Sequence, residues 1–218
     1  MSKLHVDSVR KFYGNNLILS DVFLSCTKGE IKGLVGRNGS GKSTLLKIIF
    51  GVEKAEYSFV KVGTKVVKTV TDAKNLINYL PQENFLPNHI KIKKLIRLFL
   101  EKSQQKEILK NEHIQPLLDK TNEVLSGGEK RIVEIALILY SKAQFILLDE
   151  PFNGVSPIVR NQIMDLLREM KKKKGIVLTD HDYRNVIKIS DNILFLKDGY
   201  LQEIQSPEQL TELGYLRS

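Results

Sequence analysis

The stretch "IKGLVGRNGSGKSTLLKIIF", residues 31–50, decides the fold. Its first part is a short, mostly apolar run typical of a strand, and residues 45–49 place leucine and isoleucine at helical spacing before Gly51 ends the pattern. Between them, residues 36–44 read GRNGSGKST, which is too rich in glycine for either element. A strand, a glycine-rich loop and a helix in direct succession indicate a phosphate-binding site.

Residues 36–43 fit the P-loop pattern G-x-x-x-x-G-K-[ST]. The glycines let successive backbone N–H groups point at phosphate oxygens that bulky residues would block. Lys42 supplies a positive charge to the β- and γ-phosphates of ATP, and Ser43 supplies a hydroxyl to Mg²⁺. The alternative is a glycine-rich turn without a ligand, which the flanking strand and helix disfavour. The residues expected to contact the nucleotide here are Gly36, Asn38, Gly39, Ser40, Gly41, Lys42, Ser43 and Thr44.

A second site element is "FILLDE", residues 145–150. No charge precedes Asp149, so the pattern predicts a buried strand that presents its acids at the carboxyl edge of a sheet, where ligands bind in open α/β folds. We expect Asp149 to join the Mg²⁺ shell and Glu150 to act as general base on a water in line with the γ-phosphate. A pair of capping acids before the turn at Pro151 is the alternative interpretation.

The order of patterns along the chain predicts an α/β protein. Residues 3–36 alternate apolar and polar positions, with turns at residues 14–16 and 28–29, and predict several strands. Residues 84–122 follow a helical pattern, and Pro87 and Pro116 start or interrupt helices. Strand and helix then alternate to the last strand, "NILFL", which predicts a mainly parallel sheet. We expect one domain over residues 1–218, with a P-loop NTPase core, an antiparallel β subdomain and a small helical subdomain inserted at about residues 84–140.

Composition points to a cytosolic protein without a membrane span. Hydrophobic residues make up 42% of the chain and charged residues 27%, and the single cysteine, Cys26, allows no intrachain disulfide. The formal charge of +9 could attract nucleic acid or an anionic membrane. It is spread along the chain, however, and its densest run, the lysines of residues 171–174, ends a helical pattern whose dipole it complements. The simpler interpretation of these lysines is a solvated helix end, and the alternative is contact with lipid headgroups.

The LSGGE segment, residues 125–129, is a second glycine-bearing helix start. Ser126 and Glu129 fit the S-x-x-E capping box, while Gly127 and Gly128 keep the front of the helix free of side chains. Such an end suits an anion. The chain already has a complete phosphate site in its P-loop, so this second site needs another ligand.

These motifs together resemble the nucleotide-binding subunits of ATP-binding cassette (ABC) transporters, and the resemblance runs over nearly the whole chain. The LSGGE segment matches the family's signature motif. The resemblance implies that Tyr13 stacks on adenine, that Gln82 in "LPQE" joins the metal site to the transporter, and that His181 in "TDHD" contacts the γ-phosphate. Taken alone, each would be an ordinary tyrosine, loop glutamine or helix-capping histidine.

The resemblance also implies partners and a location. Ser126, Gly127 and Gly128 would bind the γ-phosphate of ATP held by another copy's P-loop, so that a homodimer or heterodimer of ATPase subunits encloses two ATP molecules head-to-tail. A transmembrane permease would dock in a groove beside Gln82, with Phe85 and Leu86 in its apolar wall. The chain would then be cytoplasmic and peripheral on the inner face of the membrane, with no specific nucleic-acid partner.

The segments "DEPFNGVSP" and "TDH" are similar in sequence to the corresponding motifs of the lipopolysaccharide-export and branched-chain amino acid ATPases. In those motifs an aspartate stands at the position of Ser156. That loop crosses to the partner's P-loop in the family, so Ser156 bears on the hydrolysis rate. Two alternatives stay open: a soluble ATPase of the same superfamily acting on nucleic acid or ribosomes, and a regulatory cassette that hydrolyses ATP weakly. Soluble ATPases of this superfamily usually have two cassettes or a long coiled coil. The presence of Glu150, Lys42 and His181 argues against a weakly hydrolysing regulatory cassette.

Overall fold

The computed structural model describes residues 2–215 and contains two β-sheets with helices packed on them. The strands are β1 Lys3–Tyr13, β2 Asn16–Thr27, β3 Ile31–Val35, β4 Tyr57–Val62, β5 Lys65–Val66, β6 Ile77–Leu80, β7 Phe145–Asp149, β8 Gly175–Thr179, β9 Asn192–Lys197 and β10 Tyr200–Ile204. The helices are α1 Lys42–Phe50, α2 Val70–Ala73, α3 Ile92–Phe99, α4 Lys102–Ile108, α5 Gly127–Tyr140, α6 Pro157–Lys171, α7 Tyr183–Ile189 and α8 Gln209–Glu212.

The larger sheet follows the order β10-β9-β3-β8-β7-β6 within the described residues, and only its β10–β9 pair is antiparallel. Every residue of β3, β7 and β8 is buried, as expected for central strands of a covered parallel sheet. Alternate side chains of β7 enter different cores: Ile146 and Leu148 on one face, Phe145 and Leu147 on the other. The predicted α/β class and mainly parallel sheet are confirmed.

The smaller sheet is antiparallel, with the order β2-β1-β4-β5 among residues 2–215. Its buried side chains share a core with α1 and with one face of the larger sheet. Gly51 ends α1 with a φ of 87°, as its predicted role as C-terminal cap requires. The predicted antiparallel β element is therefore present, and α1 packs between the two sheets.

The chain between β6 and β7 contains α3, α4, two single-turn 3₁₀ helices and α5. The helical pattern predicted from residue 84 begins later, at Ile92. The preceding segment is an irregular loop because distant side chains take its backbone groups: Glu134 accepts a 2.8 Å hydrogen bond from the N–H of Phe85, and Asn122 donates a 3.0 Å bond to the carbonyl of Leu86. Pro116 starts a 3₁₀ helix, whereas Pro87 lies in the loop.

The strand alternation of residues 58–70 predicts β4 and β5, whereas four elements of the described residues had no prediction from the sequence: α2, β6, β10 and α8. They are short, and β6 and β10 form the two ends of the larger sheet. No helix in residues 2–215 combines the length and the apolar character needed to cross a bilayer.

Candidate nucleotide site and its family

A cavity of about 620 Å³ opens at the P-loop and at the carboxyl ends of the central strands. It collects residues from both sheets and from distant parts of the sequence. Its lining comprises Tyr13, Ile18, Asn38, Gly39, Gly41, Lys42, Ser43, Thr44, Gln82, Glu150, Asn153 and His181. Most of the residues predicted for the nucleotide site therefore meet in one place. Ile18 and Asn153 lacked a prediction.

The P-loop leaves the first turn of α1 open toward the cavity. Gly41 is the N-cap, with a φ of 102° that a side chain would strain, and it gives no side-chain cap to the helix amides. The ammonium of Lys42 donates hydrogen bonds of 2.8 and 3.1 Å to the carbonyls of Gly36 and Arg37. Burial lowers its pKa, and the carboxylates of Glu150 and Asp149 oppose that decrease. Free amides and a held cation fit a polyphosphate.

Gly36 and Ser40 complete the loop without lining the cavity in the described residues. A Cβ on Gly36 would lie 2.5 Å from the carbonyl oxygen of Leu196, so the close passage of the loop over β9 requires glycine. The hydroxyl of Ser40 is buried and has no hydrogen-bond partner within residues 2–215. An unpaired buried donor beside the phosphate loop fits a ligand that supplies an acceptor.

The three residues predicted to hold Mg²⁺ lie together at the base of the cavity. Ser43 Oγ is 2.9 Å from Asp149 Oδ1, and the side-chain amide of Gln82 is 3.2 Å from Ser43 Oγ and 3.5 Å from Asp149 Oδ1. The hydroxyl of Tyr79 donates a 2.8 Å bond to Asp149 Oδ2 and so orients this carboxylate. The atom of Gln82 that makes these two contacts is the nitrogen Nε2, so its amide oxygen would face Mg²⁺ only after the amide group turns over. The hydroxyl of Ser43 and the carboxylate of Asp149 are hard ligands that fit Mg²⁺ as they stand.

Glu150 extends from the end of β7 in a backbone conformation with a φ of 49°. Such a conformation costs a non-glycine residue about 1–3 kcal/mol and persists only where neighbours impose it. Here the N–H of Glu150 donates a 2.9 Å bond to the carbonyl of Thr179, and Asn153 donates a 3.3 Å bond to the Glu150 carboxylate. Burial raises the pKa of this carboxyl, and Asp180 and Asp149 raise it further. A partly buried carboxylate of raised basicity suits proton abstraction.

His181 lies at the same sheet edge as Glu150, as the sequence predicts. Its Nδ1 is 3.9 Å from Glu150 Oε2 and 3.4 Å from Asp180 Oδ1, and half of its side chain is exposed. Asp180 fixes the loop because it accepts 3.0 Å hydrogen bonds from the amides of Phe152 and Asp182. The imidazole therefore lies beside two carboxylates, and its exposed half is free to meet a ligand.

Tyr13 ends β1 and is 47% exposed, so its ring face is available to a planar base. Lys11 lies on this ring, with Nζ 4.8 Å from the ring centroid. The ammonium is itself held by Glu53 at 2.8 Å. The aromatic group is thus fixed in place at the mouth of the cavity.

The LSGGE segment forms the predicted capping box. The Glu129 carboxylate accepts a 2.8 Å bond from the N–H of Ser126, and the Ser126 hydroxyl accepts a 3.3 Å bond from the N–H of Glu129. A Cβ on Gly128 would approach Val159 of α6 to 2.9 Å, whereas one on Gly127 would meet nothing described within 4 Å. None of the three residues Ser126, Gly127 and Gly128 is among the described residues that line the cavity of their own chain.

A buried ion pair, Arg131 with Glu134, connects these parts and was missed by sequence reasoning. Arg131 donates bonds of 2.9, 2.9 and 3.1 Å to the carbonyls of Pro81, Asp149 and Glu150, while Glu134 binds the N–H of Phe85. One guanidinium thus joins α5, the Gln82 loop and the end of β7. The available signal was the pair of charges three residues apart in an otherwise apolar stretch of α5.

Comparison with known proteins assigns the family. The family model described as "ABC transporter" matches residues 19–153. The chain belongs to the ABC transporter family. It is 30% identical to the lipopolysaccharide export system ATP-binding protein LptB of Acidithiobacillus ferridurans over 222 residues, which covers 96% of this chain and 92% of the relative. The LptB protein of Haemophilus influenzae is 29% identical, with 96% and 93% covered.

A solved structure titled "Structure of ATP binding subunit of ABC transporter" has the same fold, with a TM-score of 0.82, 22% sequence identity, and 99% of this chain and 95% of that chain covered. The family match and the LptB relatives show that the chain is an ATP-binding, ATP-hydrolysing domain of the ABC transporter family. The similarity to lipopolysaccharide-export ATPases that the motif wording indicated is confirmed.

Ser156, the departure from the related motif, is the N-cap of α6 in this ABC domain. Its hydroxyl accepts a 3.4 Å bond from the N–H of Val159. Serine and aspartate are similarly good N-caps, so the exchange changes the charge beside the site without changing the role in the helix.

We predict that Ser156→Asp raises basal ATPase activity, because it restores a carboxylate in the loop that leads from Glu150 to α6. The free energy of unfolding should change by less than about 0.5 kcal/mol, since the cap is kept. Ser156→Asn, a neutral cap of the same shape, is the matched control for a steady-state ATPase assay. An unchanged or lower rate in the aspartate variant would show that this position does not limit hydrolysis.

We also predict that Arg131→Lys lowers kcat by about one to two orders of magnitude, because a compact ammonium lacks the planar fork that reaches Pro81 with one nitrogen and Asp149 and Glu150 with the other, so the Glu150 backbone loses its restraint. The charge beside Glu134 is kept, so the variant should fold. Arg168→Lys, the same exchange at an exposed ion pair on α6, is the control. Equal kcat values for the two variants would contradict a positioning role for Arg131.

Proposed function

We propose that two copies of this chain, or one copy and a related ATPase subunit, close head-to-tail around two ATP molecules and drive a membrane-embedded permease. The observation that supports this proposal is the separation of two anion-binding helix starts. The P-loop start of α1 faces the cavity of its own chain, whereas the open start of α5 at Gly127 does not. A partner's γ-phosphate gives the second start a ligand.

In the proposed mechanism each chain binds ATP through the P-loop amides and Lys42, with the adenine stacked on Tyr13. Ser43, Asp149 and Gln82 would hold Mg²⁺, which would neutralise charge on the phosphate oxygens. Glu150 takes the proton of the attacking water, and the raised pKa of its carboxyl favours that transfer. His181, anchored beside Asp180, orients the γ-phosphate and the water.

Loss of the γ-phosphate would remove the ligand of Ser126, Gly127 and Gly128 and open the dimer. The shared ligand makes closure depend on ATP rather than on ADP. In this way hydrolysis becomes a movement of one subunit against the other, which a permease bound to both can use.

The permease contact is proposed for residues 84–140 as an inserted helical subdomain, which would place the chain peripherally on the cytoplasmic face of the membrane. Leu98 and Phe99 at the end of α3 are 64% and 48% exposed. Phe99 packs edge-on against Phe85, with ring centroids 6.1 Å apart. Leu86, predicted as part of the apolar wall, is instead buried in the core, because Asn122 holds its carbonyl and turns the loop inward.

The variant Leu98→Glu with Phe99→Glu should lose co-purification with a co-expressed permease while its affinity for ATP stays unchanged, because the apolar contact is lost far from the P-loop. Tyr57→Glu with Val66→Glu places two charges on exposed apolar positions of the antiparallel sheet and is the control. Retained co-purification in the α3 variant, or equal loss in the control, would contradict docking at this surface.

The Glu150→Gln variant should shift from monomer to dimer on addition of ATP and Mg²⁺, measured by light scattering, because the closed state is no longer ended by hydrolysis. Gly127→Asp in the same background adds a charge where the chain has open space. It should bind ATP and stay monomeric because its carboxylate repels the partner's phosphate. A dimer that forms despite Gly127→Asp would contradict γ-phosphate recognition by the LSGGE segment.

A further inference from the structure

The chain's C-terminal segment, residues 206–215, lies against the back of the P-loop. It follows β10 and contains α8, whose Leu210 is completely buried in the main core. The N–H of Tyr215 donates a 2.8 Å bond to the carbonyl of Leu210, so the segment folds back on itself. It is therefore an anchored element, and its residues Leu213 and Gly214 line a cavity next to the P-loop rather than the nucleotide cavity.

Two cations tie this segment to the loop and to the strand beneath it. Arg37 of the P-loop donates a 2.8 Å bond to the carbonyl of Gly214, and Lys197 of β9 donates a 3.0 Å bond to the carbonyl of Leu213. Arg37 lines a second cavity of about 530 Å³, which adjoins the nucleotide cavity at Asn38 and Gly39, and it is absent from the described lining of the nucleotide cavity itself. Its side chain is thus engaged with the C-terminal segment rather than with the nucleotide cavity.

The ring of Tyr215 packs against strand β9 and against the start of α7. Its centroid is 5.3 Å from that of Phe195 and 5.8 Å from that of Tyr183. Phe195 pairs in register with Val35, the residue before the P-loop, and Tyr183 begins α7 two residues after His181.

We propose that residues 206–215 are a positioning element of the ATP site, in which Tyr215 and the Arg37–Gly214 hydrogen bond hold the P-loop and the His181 loop in their binding geometry. The carbonyls of Gly36 and Arg37 are the acceptors of the Lys42 ammonium. A displacement of either residue therefore moves the cation that meets the phosphates. This inference rests on the proposed nucleotide site and adds a determinant of its affinity.

The physical effect is preorganisation. A loop that is held before the ligand arrives loses less conformational entropy on binding, and this difference appears as affinity. Without the positioning element, part of the binding free energy of ATP would be used to order the P-loop. The expected consequence is a weaker affinity for ATP, together with a slower kcat because His181 loses the support of Tyr183.

The test compares Tyr215→Ala, Tyr215→Phe, Arg37→Met and the double variant Tyr215→Ala with Arg37→Met, all in the full chain. The dissociation constant for a fluorescent ATP analogue with Mg²⁺ is measured together with kcat. Tyr215→Ala and Arg37→Met should each raise the dissociation constant by about fivefold or more. Tyr215→Phe keeps the ring contacts and should bind as the wild type does.

The double variant distinguishes positioning from general loss of stability. Tyr215 and Arg37 act through the same positioning element, so the dissociation constant of the double variant should not exceed that of the weaker-binding single variant. If the two residues acted independently, their effects on the dissociation constant would multiply. Glu212→Ala, exposed on α8, and Val62→Ala, in the antiparallel core, are controls for a change in the segment and for destabilisation elsewhere. Both should bind ATP as the wild type does.

Unchanged affinity in Arg37→Met, whose side chain is exposed, would overturn the proposal. Equal weakening in Val62→Ala would also overturn it, because stability alone would then explain the loss. A wild-type chain that binds no ATP analogue would instead reject the nucleotide site and the positioning element together. These three outcomes are read from the same binding curves.

Discussion

The structure depends on placing two adjacent carboxylates at the end of a fully buried strand. Charges leave water only when other groups replace its hydrogen bonds, and here the replacements come from the whole molecule. Ser43 and Tyr79 bind Asp149, and Asn153 binds the carboxylate of Glu150. Arg131 holds the backbone carbonyls of both residues. The same contacts that make this edge stable also shape it as a site for a cation and a phosphate chain.

The buried pair of Arg131 and Glu134 gives this edge a connection to the rest of the domain. Such pairs are weak evidence for stability, because desolvation offsets much of their attraction. Their value here is geometric: Arg131 contacts the Gln82 loop and the end of β7, and Glu134 contacts Phe85 on the proposed permease side. A movement of α5 with the LSGGE segment would therefore reach Glu150, the proposed general base, and the proposed permease contact at once.

The N-termini of α1 and α5, both suited to bind an anion, explain why one chain alone does not complete an ATP site in the proposed dimer. The α1 start is open because Gly41 provides no side-chain cap, whereas the α5 start is capped at Ser126 and open at Gly127. In the proposed dimer the first start would bind phosphate within its own chain, and the second would bind phosphate held by the partner. The proposed positioning element, residues 206–215, contacts the P-loop before α1. The affinity for ATP within one chain and the closure of two chains would therefore be controlled from different surfaces.

The sequence by itself determined the elements and motifs that obey local rules. Residues 31–50 predicted β3, the P-loop and α1, residues 125–129 predicted the capping box of α5, and "FILLDE" predicted a buried strand ending in acids, since periodicity and capping involve neighbours along the chain. The tertiary structure decided the burial of Leu86, the late start of α3 at Ile92, and the contacts of Arg131 and Tyr215. These depend on which distant groups compensate each buried polar atom, and that choice is made only when the sheets and helices pack.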